Sequence, residues 1–175
     1  DQAPLSSPIP EHSDPRALRS LAQSEGVVGP WGGRLTHMTT PAGPSAVTAV
    51  PAAPSEVALE HFAGLLSLET DCWDVHDALS DGPGDFVLLD VRSPELFAGG
   101  HVPGALNLPH RRIVDRNVAA YPSETVFVVY CAGPHCNGAD KAAIRLAALD
   151  RPVKKMIGGI EGWKDEGFDL EIGAG

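Results

Sequence analysis

The sequence predicts an α/β domain whose mainly parallel sheet is covered by helices on both faces. Phe86-Val87-Leu88-Leu89-Asp90-Val91 and Thr125-Val126-Phe127-Val128-Val129-Tyr130 are apolar runs of strand length with no polar alternation. Strands of that kind are buried on both faces, as in a parallel sheet. Segments with helical spacing or helix-start signals stand between and after them, giving the strand–helix alternation of βαβ units.

Taken in order, residues 1–54 are expected to be a disordered tail, or one added upstream of the natural chain. They hold nine prolines, including Ser6-Ser7-Pro8-Ile9-Pro10 and Pro51-Ala52-Ala53-Pro54, and little apolar periodicity. Met38 followed by Thr39-Thr40-Pro41 looks like a natural start, which would make residues 1–37 additions. The domain itself is placed at 55–175. An extra N-terminal helix begins with Ser55 as N-cap and carries Val57, Leu59, Phe62, Leu65 and Leu66 near helical spacing. A shorter helix over about Trp73–Leu79 is closed by Asp81-Gly82-Pro83-Gly84. After the first buried strand, Ser93-Pro94-Glu95 gives an N-cap, a proline at the first helical position and an acid in the first turn. His101 to Leu108 reads as a turn and a short strand. Ala139 to Leu149 is a helix with Ala142, Ala143, Leu146 and Ala147 toward the sheet. Val153 to Ile157 is the last strand, and Gly158-Gly159 turns into a helix around Trp163.

Composition narrows the function. The chain has 175 residues, 43% of them hydrophobic, and a formal net charge of −10. An acidic surface repels nucleic acid and anionic membranes, so neither is expected as a partner. Three cysteines are too few, and odd in number, for a secreted disulfide framework. Cys131 and Cys136 with His135 between them have no second ligand pair at zinc-finger spacing, so no metal is expected, and no cofactor motif is present. No stretch approaches the ~20 apolar residues of a membrane span, and the start lacks a signal-peptide layout. A reducing cytoplasm is the expected location.

Chemistry collects at the carboxyl ends of parallel strands, and Cys131 is the first residue after one. Behind it Ala132-Gly133-Pro134-His135-Cys136-Asn137-Gly138 wraps into a helix start, where backbone N–H groups and the helix dipole favour a thiolate. The bland reading is a small apolar residue ending a strand.

Residues from about 55 to 172 resemble a rhodanese-type domain. The motifs that carry the resemblance stand in order: Leu89-Asp90-Val91-Arg92 with Glu95 and Phe97, then Gly100-His101-Val102-Pro103-Gly104-Ala105-Leu106-Asn107-Leu108-Pro109, then Tyr130-Cys131, then Gly158-Gly159 with Trp163 and Gly167. The resemblance implies a three-layer rhodanese-like fold and a sulfurtransferase. Cys131 would take a sulfane sulfur from a small anionic donor such as thiosulfate and pass it to a thiol, cyanide or a protein acceptor.

The loop departs from the family pattern, which has a shorter loop, a central glycine and often an arginine near its end. Ten positions separate Cys131 from Lys141, and none between them is Arg or Lys. Phosphoryl transfer needs a bidentate cation on the transferring group, so phosphatase chemistry is not expected. Cys136 is the second departure. It either serves as a resolving thiol for Cys131 or packs inward with its sulfur out of reach, splayed from a loop held open around the nucleophile. His135 is expected to face solvent more often than the cradle. Asp90, Arg92 and His101 read as a supporting network, with Arg92 paired to a carboxylate or to loop carbonyls. His110-Arg111-Arg112 is the one local basic cluster; Arg111 and Arg112 would draw an anion to the rim, or simply form a solvated surface. Two other functions compete: a non-catalytic rhodanese-like binding or regulatory module, and a thiol redox enzyme of the arsenate-reductase kind using Cys131 and Cys136.

Overall fold

The computed structural model describes residues 43–80, 82 and 84–173. The chain divides into two units, residues 1–52 and 53–175. In the first, residues 43–52 are exposed, and Ala49 N–H donates to the Ser45 carbonyl at 2.8 Å to close a turn. The sequence expectations for residues 1–42, including those around Met38, lie outside the described residues.

The second unit contains α1 (Ser55–Leu68), β1 (Glu69–Thr70), α2 (Cys72–Ser80), β2 (Phe86–Asp90), α3 (Pro94–Ala98), β3 (Leu106–Asn107), α4 (Asp115–Val118), β4 (Val126–Tyr130), α5 (Gly138–Ala147), β5 (Val153–Met156) and α6 (Gly159–Asp165). A 3₁₀ turn at His110–Arg112 precedes α4. Among the described residues these strands pair in parallel, in the order β1-β5-β4-β2-β3. The two apolar runs become neighbouring strands, Phe86 beside Val126 through Asp90 beside Tyr130. Their side chains alternate between two cores. Leu88, Val128 and Tyr130 pack with Val75, Ile160 and Trp163 on one face; Leu89, Phe127 and Val129 pack with Val118, Ala142 and Leu146 on the other. That two-sided burial is why neither strand carries polar alternation.

Local signals worked unevenly. Ser93 caps α3 as expected, its hydroxyl accepting from Leu96 N–H with Pro94 at the first turn. Ser55 does not cap α1: it is the first helical residue, and Pro54 stands at the cap without a side-chain bond. The spacing in α1 correctly marks a helix, yet no residue of it is buried, and Leu59, Phe62 and Leu66 are largely exposed. β1 was not expected. It is two residues long, below the length at which periodicity can register, and exists because Glu69 and Thr70 pair with Lys155 and Met156.

Candidate active site

Cys131 leaves the carboxyl end of the central strand β4, and Val91 N–H donates to the Tyr130 carbonyl beside it at 3.0 Å. The Cys131 carbonyl accepts from Ile160 N–H and the Ala132 carbonyl from Glu161 N–H, both at 3.0 Å, so the loop's first peptide units are tied to the start of α6. Its side chain is buried, at 7% exposure. Cys136 N–H then donates to the Gly133 carbonyl at 2.9 Å, a turn that folds the loop back on itself. Cys131 and Cys136 are consequently joined sulfur to sulfur as a disulfide. The expectation of side chains splayed out of reach therefore gives way: the turn closed at Gly133 brings position 136 over position 131.

α5 starts at Gly138, and Asn137 at its cap makes no side-chain hydrogen bond. A Cβ at position 138 would lie 2.6 Å from Cys131 Sγ and 3.4 Å from Cys136 Sγ. Only a glycine lets the helix end approach both sulfurs so closely. The first-turn N–H groups have no intrahelical acceptor and carry the positive end of the helix dipole, which favours negative charge on a sulfur there.

A cavity of about 430 Å³ opens on the pair, lined by Cys131, Gly133, Pro134 and Cys136 of the loop, by Ala139 and Asp140 of α5, and by Lys155 to Gly159. Lys155 is the residue that reading along the chain missed. Its Nζ lies 2.9 Å from Glu69 and 3.0 Å from Asp140, and hydrogen bonds to these two carboxylates hold its pKa above the usual lysine value. The available signal was Lys154-Lys155 in a strand: consecutive residues face opposite sides. Lys154 accordingly donates to the Leu66 carbonyl at 2.9 Å while Lys155 lines the cavity.

The other loop residues border a second, outer hollow of about 540 Å³, formed by Ala132, Pro134, His135, Cys136, Asn137 and Asp140. His135 is exposed there. Asp90, Arg92 and His101 do not line the Cys131 cavity. Asp90, fully buried, accepts from Arg92 N–H and Nε–H at 2.9 and 3.0 Å, and Arg92 Nη2 also donates to Asp90 and, at 2.7 Å, to the Gly100 carbonyl. Burial works against the Arg92 cation, but the Asp90 carboxylate outweighs it and keeps the pKa raised. His101 donates from Nδ1 to the Phe97 carbonyl at 2.9 Å and stacks on the Phe97 ring, while its backbone pairs with Glu171. Arg111 and Arg112 are exposed on the 3₁₀ turn and touch neither hollow.

Cys72, distant in sequence, sits behind the Gly158-Gly159 turn with its thiol directed at the Ile157 and Gly159 carbonyls. Burial, with Asp71 and Glu166 nearby, pushes its pKa to about 11, so it stays a thiol. Trp163 packs beneath the sheet end and its indole donates to the Asp169 carbonyl at 2.9 Å.

Among the described residues no helix is long and apolar enough to cross a membrane. A family model described as the rhodanese-like domain matches residues 74–166. The chain is 34% identical over 91 residues to the HTH-type transcriptional regulator Rv0324 of Mycobacterium tuberculosis, an alignment spanning 52% of this chain and 40% of that protein. It is 35% identical over 81 residues to the thiosulfate sulfurtransferase GlpE of Pseudomonas putida, covering 45% of this chain and 69% of that one. The crystal structure of the BH2092 protein from Bacillus halodurans superposes with a TM-score of 0.66 at 36% identity, over 70% of this chain and 89% of that chain.

Proposed function

The chain belongs to the rhodanese-like domain family, and from that premise we propose that it is a sulfurtransferase whose sulfur carrier is Cys131. In the dithiol form the Cys131 thiolate attacks the outer sulfur of a donor such as thiosulfate. The donor's S–S bond breaks, sulfite leaves, and Cys131 holds a persulfide. A thiol, cyanide or a protein thiol then attacks the outer sulfur and Cys131 departs as thiolate.

The observation that carries this reading is the seat of Cys131 Sγ: against the N-terminus of α5 at Gly138, inside a cavity that also holds Lys155. The helix end stabilises the thiolate and the persulfide anion. Lys155, a cation in the cavity wall where the loop has none, offsets the Asp140 carboxylate there and lowers the repulsion that an anionic donor meets. A single ammonium and backbone N–H groups suit a persulfide better than a transferring phosphoryl group, which calls for a bidentate guanidinium. Reactivity as a thiolate is consistent with a reducing compartment such as the cytoplasm.

After reduction and thiosulfate treatment, wild type is expected to release one equivalent of sulfite. In Cys136→Ser, where no second thiol can displace it, the peptide containing Cys131 is expected to gain the mass of one sulfur atom; Cys131→Ser does neither. No sulfite from wild type and no adduct on Cys136→Ser, with the Cys131 thiol shown to be free, overturns the proposal. Lys155→Met removes the cation and leaves the Asp140 carboxylate unneutralised on the cavity wall. Its KM for thiosulfate is expected to rise about 10-fold, equivalent to ~1.4 kcal/mol, with kcat less affected. An unchanged KM at low ionic strength would show that Lys155 only ties β5 to α5.

A binding or regulatory module remains the second reading, favoured by the burial of Cys131 in a disulfide. A Cys131→Ser protein that keeps its full cellular activity would select it.

A further inference from the structure

We infer that Cys136 is a second catalytic thiol, which discharges the Cys131 persulfide as hydrosulfide and makes turnover depend on a dithiol reductant. The step presupposes the persulfide on Cys131 proposed above.

A thiol beside a persulfide has two sulfurs to choose from. Attack on the outer sulfur moves the sulfane atom to the attacker and regenerates Cys131 unchanged. Attack on the inner sulfur, Cys131 Sγ, expels the outer one. The loop decides between these outcomes. The hydrogen bond from Cys136 N–H to the Gly133 carbonyl folds Cys136 back until its Sγ meets Cys131 Sγ itself. The inner sulfur is therefore the one within bonding reach.

The balanced step is Cys136–S⁻ plus Cys131–S–SH giving the Cys131–Cys136 disulfide plus HS⁻. One S–S bond breaks and one forms. The sulfane sulfur takes two electrons and leaves as hydrosulfide; the two cysteine sulfurs supply those electrons. No external oxidant is required. A dithiol then reduces the disulfide by exchange and restores both thiols.

The surroundings fit each part of this step. The cavity of about 430 Å³ is lined by both cysteines and gives the departing sulfur a route out. Glycine at 138 keeps the α5 N-terminus against both sulfurs: a Cβ there would overlap Cys131 Sγ at 2.6 Å and reach contact with Cys136 Sγ at 3.4 Å. That helix end favours negative charge on the attacking Cys136 thiolate and on the departing hydrosulfide alike. Cys72 does not compete: its thiol points to the Ile157 and Gly159 carbonyls and burial holds it protonated. The product chemistry places the protein between a reaction that generates sulfane sulfur and one that consumes hydrosulfide.

The test uses the whole chain, reduced, freed of reductant, kept anaerobic and dilute, and mixed with one equivalent of thiosulfate. Wild type is expected to release one equivalent of sulfite and one of sulfide, and to show the peptides of Cys131 and Cys136 linked in a non-reducing map. Added dithiothreitol together with excess thiosulfate should then make sulfide production catalytic. Cys136→Ser is expected to lower single-turnover sulfide release at least about 10-fold. Should that variant fail to fold, the wild-type sulfide yield and peptide map decide alone. Sulfite without sulfide, leaving a stable Cys131 persulfide, overturns the role of Cys136 while sparing the sulfurtransferase reading. Neither sulfite nor sulfide overturns both. Sulfide release from Cys136→Ser equal to wild type also removes the step.

Discussion

Arg92→Ala is expected to destabilise the domain by about 3–5 kcal/mol, among the largest losses available to a single side chain outside the hydrophobic core. Asp90 has no exposed surface, and Arg92 is its cationic partner through the main-chain N–H, Nε and Nη2. Truncation strands a carboxylate in an apolar interior and also frees the Gly100 carbonyl, the second acceptor of Nη2. The damage reaches the site through the sheet. Asp90 sits in register with Tyr130, Val91 N–H holds the Tyr130 carbonyl, and Cys131 follows directly. Urea unfolding midpoints check the stability claim. The double replacement Asp90→Leu with Arg92→Met, which removes both charges, should recover most of the loss. If Arg92→Ala and wild type unfold within about 1 kcal/mol of each other, the pair contributes no more than an exposed salt bridge.

Gly159→Ala is the second large effect. Gly159 has φ +60°, where an alanine costs about 1–2 kcal/mol. Its Cβ would stand 2.5 Å from the Cys131 carbonyl oxygen, 3.0 Å from Gly133 N and 3.1 Å from Ala132 C, all of them backbone atoms without freedom to swing away. Relief requires separating α6 from the loop and weakening the Ile160 and Glu161 hydrogen bonds to Cys131 and Ala132. Two such bonds bring the expected destabilisation to about 2–4 kcal/mol. Because the displaced atoms belong to Cys131 and Gly133, the proposed sulfur transfer should fall about 100-fold even in protein shown by circular dichroism to be folded. A variant that is less stable but fully active when folded would mean that the loop adjusts without moving the sulfur.

Much of this molecule is legible along the chain, for a definable reason. The β2 and β4 runs show as strands because burial on both faces removes every polar position except Asp90, and that exception is neutralised two residues later by Arg92. The Ser93-Pro94-Glu95 start of α3 is local chemistry and is visible locally. The placement of Cys131 follows from the same logic, since a strand end meeting a glycine-bearing loop and a helix start is a short-range pattern. The cap of α1 was misplaced by one residue because Ser55 and Pro54 both suit a helix start and no side-chain bond separates them. The apolar positions of α1 marked a helix correctly but did not reveal that its surface stays exposed, because burial depends on a partner surface that periodicity does not describe.

What the order of residues determined by itself was the α/β class, the two central strands and a cysteine at the end of one of them. What only the tertiary structure decided was the company that cysteine keeps. Lys155 reaches the cavity because β5 pairs with β4, Cys72 lies behind it because α2 packs near the Gly158-Gly159 turn, and Cys136 meets Cys131 because a single hydrogen bond to Gly133 turns the loop back. Helix and strand patterns come from neighbours a few residues apart. A site assembled from positions 69, 131, 136, 140 and 155 depends on strand order and on one loop's path, and neither has a local signature.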